Sequence, residues 1–144
     1  VSSGVHSSGK IDFENFRGEK KYDPYGAYAM SKIANLLFSN KLAELFAGSG
    51  VTSNALHPGV IATKLLNDGF GMSRGSSVQR GAGTSVFLAT SPNVEKISGK
   101  YFINSREAIP YAYSTDKSIQ QKLWDESEML VAPFRTSPQL KTKN

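Results

Sequence analysis

The sequence predicts an α/β domain built on a short parallel sheet with right-handed crossovers. Three observations carry that expectation. Strand-like and helix-like segments alternate along the chain. The gap between the strongest helix and the strand after it is only a few residues, the usual length in an α/β unit. That helix is apolar around most of its circumference, which calls for cover on two sides.

Taken in order, Val1-Ser2-Ser3 reads as the end of a first strand. A polar, Gly-rich stretch follows and closes at Asp23-Pro24, where proline disfavours a helical residue before it. The segment 27–46 is the strongest helix, rich in Ala, Leu, Lys and Glu and stopped by Gly48 and Gly50. Met30, Ile33, Ala34 and Leu37 cover one side of it, and Leu36, Phe38, Leu42 and Leu45 the other. "VTSNALHPG" is a second strand ended by Pro58-Gly59, and an irregular connection with a short helical piece at Lys64 to Leu66 follows. Residues 77–91 predict a second helix and "SGKYFIN" a third strand. Residues 115–131 predict a last helix, capped by Ser114 or Thr115, with Ile119, Leu123, Trp124 and Leu130 at helical spacing. The Pro- and Lys-containing residues 132–144 read as a disordered tail. Three strands are few for a sheet whose faces must both be covered, and an apolar strand normally has a turn or linker before it. The chain therefore reads as the later part of a longer one.

Composition removes several classes of function. With no cysteine, disulfides, thiol catalysis and Cys-ligated metal sites are excluded. Two histidines without a nearby carboxylate cluster, His6 and His57, make no convincing metal site. The net charge of +5 comes from scattered residues, with local clusters only at Lys20-Lys21 and at Lys141 and Lys143, so no nucleic-acid partner is expected. A basic chain does suit an anionic phosphate cofactor. No apolar run approaches the roughly 20 residues that span a bilayer.

Chemistry concentrates at "YGAYAMSK", where Tyr28 and Lys32 are four apart on one helix. Residues i and i+4 share a face, and an ammonium beside a phenol favours the phenolate, making such a tyrosine usable as acid or base. The spacing alone is weak: 6 tyrosines and 12 lysines in 144 residues give about half a match by chance. A second match, Tyr113 to Lys117, straddles a helix start and has no supporting surroundings. Around the first, "VSS" sets hydroxyls at the carboxyl edge of a sheet, where open α/β sheets bind ligands. "HPGVIATKL" sets a Pro-Gly turn and Thr63 after the next strand at that same edge. Glycine there lets the backbone approach a ligand, and threonine can donate to a phosphate. The glycine cluster "GFGMSRG" at 69–75 lacks the strand-turn-helix context of a phosphate cradle.

These stretches, "VSS", "YGAYAMSKIANLL" and "GVTSNALHPGVIATKL", resemble the second half of a short-chain dehydrogenase/reductase, over roughly residues 1–131. The step of 25 residues from Ser3 to Tyr28, with "IDFENF" and "HPG", is similar to the retinol dehydrogenase and WW-domain oxidoreductase group. The resemblance implies the C-terminal half of a Rossmann-type, doubly wound parallel sheet with about three strands and three main helices. It implies a catalytic triad of Ser3, Tyr28 and Lys32, with Tyr28 as acid/base, Lys32 on the nicotinamide ribose and Ser3 (not Ser2) on the substrate oxygen. Pro58, Gly59, Ile61 and Thr63 would contact the cofactor along with Tyr28 and Lys32, and residues 64–77 would form a substrate lid. The implied cofactor is NADP(H) in preference to NAD(H), and the implied substrate a small hydrophobic carbonyl or alcohol. Homodimerisation through the 27–46 helix is a further implication, as is the alternative of a non-catalytic interaction module. The glycine-rich fingerprint, the residue selecting NAD or NADP and the asparagine of the proton relay belong to the family's other half.

Overall fold

The computed structural model describes residues 1–135. Helix α1 (Pro24–Leu45) is the longest element. It begins at Pro24, three residues before the expected start, because proline tolerates the first helical position, where no N–H partner is needed. Asp23 caps it: the Gly26 N–H donates to Asp23 Oδ2 at 2.6 Å. Past the C-terminus, Gly48 and Gly50 take positive φ and turn the chain back.

The sheet has three strands in the order β1 (Ala55–His57), β2 (Tyr101–Ile103), β3 (Arg106–Ala108). Strands β1 and β2 run parallel, Ala55 opposite Tyr101 and His57 opposite Ile103. Strands β2 and β3 form an antiparallel hairpin, so the sheet is mixed α/β and not wholly parallel. Helix α2 (Lys64–Phe70) and helix α3 (Val78–Thr90) fill the crossover from β1 to β2, and α4 (Lys117–Val131) follows the hairpin.

Three expectations change here. Residues 1–3 are extended but form no strand; the Ser2 N–H donates to the Leu56 carbonyl (2.7 Å), and this single backbone bond joins the segment to β1. The third strand is β3, missed because "REA" carries no apolar pattern. The cap of α4 is Asp116, whose Oδ1 accepts from the Ser118 and Ile119 N–H groups, while Ser114 and Thr115 end a preceding 3-10 turn. Ala132–Phe134 form a 3-10 turn behind α4, and the rest of the tail expectation, 136–144, lies outside the described residues.

The main core gathers on one side of α1, where Ile33, Leu36 and Leu37 are fully buried with Ala55, Tyr101 and Leu123. Each of the Ile and Leu side chains contributes about 1.5–3 kcal/mol by leaving water. A second cluster, Leu56, Val94 and Phe102, holds the opposite sheet face. Two-sided burial of α1 is incomplete in this chain: Phe38 and Leu45 stay about half exposed, Phe38 stacking on Trp124 of α4. Glu44 bridges Lys41 (2.6 Å) and Lys117 (2.7 Å), tying α1 to the start of α4. These two ammonium groups hold its carboxyl down to about 2. Lys117 of the second Tyr-Lys match is thus engaged in this bridge, and the Tyr113 hydroxyl accepts from the Ile11 N–H.

The β2–β3 turn places Asn104 (φ 50°) and Ser105 (φ 59°) in the left-handed region, the pattern of a tight hairpin turn. Asparagine tolerates it, whereas serine carries an unfavourable Cβ of about 1 kcal/mol. Ser105→Gly is expected to raise the midpoint of thermal unfolding by about 2–4 °C and Ser105→Val to lower it, read by calorimetry.

Candidate active site

Three stretches distant in sequence meet at the carboxyl end of β1. The first is the turn at Gly4–Ser8, a short 3-10 helix capped by Ser3, whose Oγ accepts from the Val5 N–H at 3.3 Å. The second is the first turns of α1, which carry Tyr28 and Lys32. The third is the turn after β1, Pro58 to Thr63, entered through Gly59 at φ 97°, a conformation that glycine adopts without strain.

Two contacts set the first stretch against the second. Ser2 Oγ donates to the Lys32 carbonyl at 2.8 Å, and Asn35 Nδ2 donates to the Val1 carbonyl at 3.1 Å. Gly9 then passes so close to α1 that a Cβ there would lie 2.4 Å from the Ala29 carbonyl oxygen. The chain between Ser3 and Tyr28 is long, but its beginning is pinned to the helix that carries Tyr28.

Between the three stretches lies a cavity of about 550 Å³. Ser3, Tyr28, Pro58, Gly59, Ile61 and Thr63 all line it, six of the seven residues singled out from the sequence. Lys32 does not line it; its ammonium stands over the Tyr28 ring, 5.2 Å from the centroid. The remaining wall is largely apolar, with Leu65, Leu66 and Phe70 from α2, Met72 just past it and Val78 from the start of α3. Helix α2 runs to Phe70, longer than the short helical piece expected, and Phe70 meets the Tyr28 ring edge-on at 5.2 Å. "GFGMSRG" lies here, in the cavity's cover: Gly71 ends α2 in the left-handed region, and Ser76 bridges back to Ile61.

The sequence did not single out Phe70, nor a role for either histidine. His57 lines the cavity, and its Nδ1 is buried without a hydrogen-bond partner among the described residues. Burial pushes its pKa below 6.5, and a charge on nearby His6 would push the same way. His6 is buried beneath Ser3, its ring edge-on to Tyr101 at 4.9 Å. Burial also pushes the Tyr101 phenol up to about 12. Among the described residues no cluster of three or more His, Cys, Asp or Glu could hold a metal ion.

Comparison with known proteins fits this geometry. The chain is 41% identical over 146 residues to mouse retinol dehydrogenase 13 and 37% identical over 143 residues to mouse retinol dehydrogenase 14, covering 91% of this chain in each case. This segment is similar to members of the short-chain dehydrogenase/reductase family. It corresponds to the C-terminal half of its retinol dehydrogenase relatives, spanning 44% and 43% of those two proteins. Mouse polyprenol dehydrogenase is 34% identical over 88% of this chain and 41% of its own length. No family model matches. A solved structure of an uncharacterised protein from Mycobacterium paratuberculosis superposes with a TM-score of 0.71 at 25% identity, over 92% of this chain and 48% of that one.

The residues present fit the nicotinamide end of the family's dinucleotide. Gly59 opens the backbone at the cavity wall, and Lys32 sets a positive charge behind Tyr28. The family's phosphate cradle has no counterpart among the described residues, since the glycine cluster at 69–75 covers the cavity instead.

The partly buried His57 gives the fold a pH signature. Its pKa is lower folded than unfolded, so below about pH 6.5 the unfolded chain binds a proton that the native ring refuses. Its contribution is therefore complete above 6.5 and is lost as pH falls from there toward the lowered native value. Denaturant titrations from about pH 8 to about pH 5 should show stability falling on the acid side, with a flatter curve for His57→Asn.

Proposed function

We propose that this segment carries the proton-transfer half of an NAD(P)-dependent oxidoreductase acting on the carbonyl or alcohol group of an apolar substrate. The convergence of Ser3, Tyr28 and the Pro58–Thr63 turn on one largely apolar cavity supports it. When bound, the nicotinamide supplies the acceptor or donor of hydride at the substrate carbon. The chain's own residues manage the oxygen. Ser3 Oγ already accepts from the Val5 N–H, which leaves its own O–H free to donate to a substrate oxygen. Tyr28, in the same wall, gives or takes the proton as that oxygen changes between carbonyl and hydroxyl. Lys32 lies behind the Tyr28 ring and supplies the positive charge that a phenolate needs beside it.

The lining from α2 excludes water and selects an apolar substrate. Relatives named for retinol and polyprenol are consistent with a long hydrocarbon alcohol or aldehyde. NADP(H) is the proposed cofactor in preference to NAD(H); the chain's net charge of +5 favours the more anionic dinucleotide. In the full-length protein, Tyr28→Phe should lower turnover of retinaldehyde or a comparable apolar aldehyde by about 10²–10⁴-fold with cofactor affinity retained. Undiminished turnover would sink the assignment.

A second function is favoured by the half-exposed Phe38, Leu45 and Phe46 on and just beyond α1: self-association of two copies through this helix without catalysis. Saturable NADPH binding by the isolated 144-residue chain would speak for the enzyme. Concentration-dependent dimerisation without cofactor binding, abolished by Phe38→Glu, would speak for the module.

A further inference from the structure

We infer that His6 is the positioning residue for Ser3, its imidazole fixing the backbone from which the Ser3 hydroxyl reaches the cavity. This rests on the active-site function proposed above. Ser3 is the cap of the 3-10 turn at Gly4–Ser8, and its carbonyl faces back into that turn. Both donors on that carbonyl come from His6: the backbone N–H at 3.1 Å and ring Nδ1 at 2.6 Å. Across the ring, Nε2 meets the Tyr111 backbone N–H at 3.2 Å.

These partners determine the tautomer. A backbone carbonyl can only accept, so Nδ1 carries the hydrogen; a backbone N–H can only donate, so Nε2 is bare. The ring is therefore a neutral connector with a direction, donating toward Ser3 and accepting from the segment after β3. It is 5% exposed, and Tyr101 of β2 meets it edge-on at 4.9 Å, so its plane has little freedom. The turn's other bonds are short and local: Ser3 Oγ with the Val5 N–H, Ser7 Oγ with the Gly4 carbonyl, and the Gly9 N–H with the His6 carbonyl. Beside the Ser2 bond to Leu56, the His6 ring is the side chain that ties the turn beneath Ser3 to Tyr101 of β2 and to the segment after β3.

Two substitutions separate positioning from mere support. A glutamine amide reaches about as far as Nε2 and can keep the acceptor toward Tyr111 while releasing Ser3. An asparagine amide stands near Nδ1 and can keep the donor toward Ser3 while releasing Tyr111. In the full-length enzyme with NADPH and an apolar aldehyde such as retinaldehyde, His6→Gln should lower kcat about 10-fold with KM for NADPH unchanged. His6→Asn should stay within about 3-fold of the parent. In a Ser3→Ala background, His6→Gln should cost nothing further, since the group it positions is gone. The inference is overturned if His6→Gln leaves kcat unchanged, if Asn and Gln are equally impaired, or if the Gln loss is the same with and without Ser3. Tyr28→Phe is measured beside them: if it and Ser3→Ala both retain full turnover, the proposed active site fails and His6 with it. If they lose turnover and His6→Gln does not, only the positioning role fails.

Discussion

The bond from Ser2 Oγ to the Lys32 carbonyl, reaching across 30 positions, is where the first residues and the long helix are brought into register. Asn35 on the Val1 carbonyl lies beside it, and Gly9 lies so close to Ala29 that no side chain would fit. Ser2 is buried and polar, so its hydroxyl must find a partner or cost about 1–3 kcal/mol. The helix carbonyl it uses belongs to Lys32, one turn beyond Tyr28. A serine side chain thus sets where the helix carrying Tyr28 lies relative to Ser3.

The sheet supplies the third fixed point. Only two strands run parallel, but that suffices to set the Pro58–Gly59 turn at the edge where Ser2 joins Leu56. Ligand sites form at such an edge because strand ends release loops there, while the apolar strand residues remain in the core. The cover from Lys64 to Ser77 is different in kind. Helix α2 buries none of its residues, and its hold on the site is the Phe70 edge against Tyr28 together with the bridge from Ile61 to Ser76. A segment with so few buried contacts belongs to the low-stability end of the fold.

Much of the candidate site was legible in the chain because local chemistry writes it. Tyr28 and Lys32 are neighbours on any helix, and Pro58-Gly59 ends any strand. The ends of the 77–91 helix and the stop after residue 46 were likewise legible, since caps and glycines act on their own neighbours. Other features were not legible, for physical reasons. β3 has an exposed, charged strand, and only pairing with β2 makes it one. Asp116 displaced Ser114 and Thr115 as cap because those two are taken into a 3-10 turn that also packs on α1 through Asn40. From the sequence His6 was weighed only as a metal ligand, since its partners, Ser3 and Tyr111, lie 3 and 105 positions away and are joined only by the fold.

By itself, then, the sequence determined the alternation of α1, α3 and α4 with β1 and β2, the helix bearing Tyr28 and Lys32, and the Pro58-Gly59 turn that ends β1. Periodicity, capping and turn chemistry reach only a few residues, and those features need no more. Only the tertiary structure decided that Ser3, Tyr28 and the Pro58–Thr63 turn face one cavity while Lys32 stays behind the tyrosine ring. It alone decided that Phe70 covers that cavity and that a histidine connects Ser3 to the far end of the hairpin. Those arrangements depend on contacts between segments up to about a hundred residues apart, which form only once the core between them has packed.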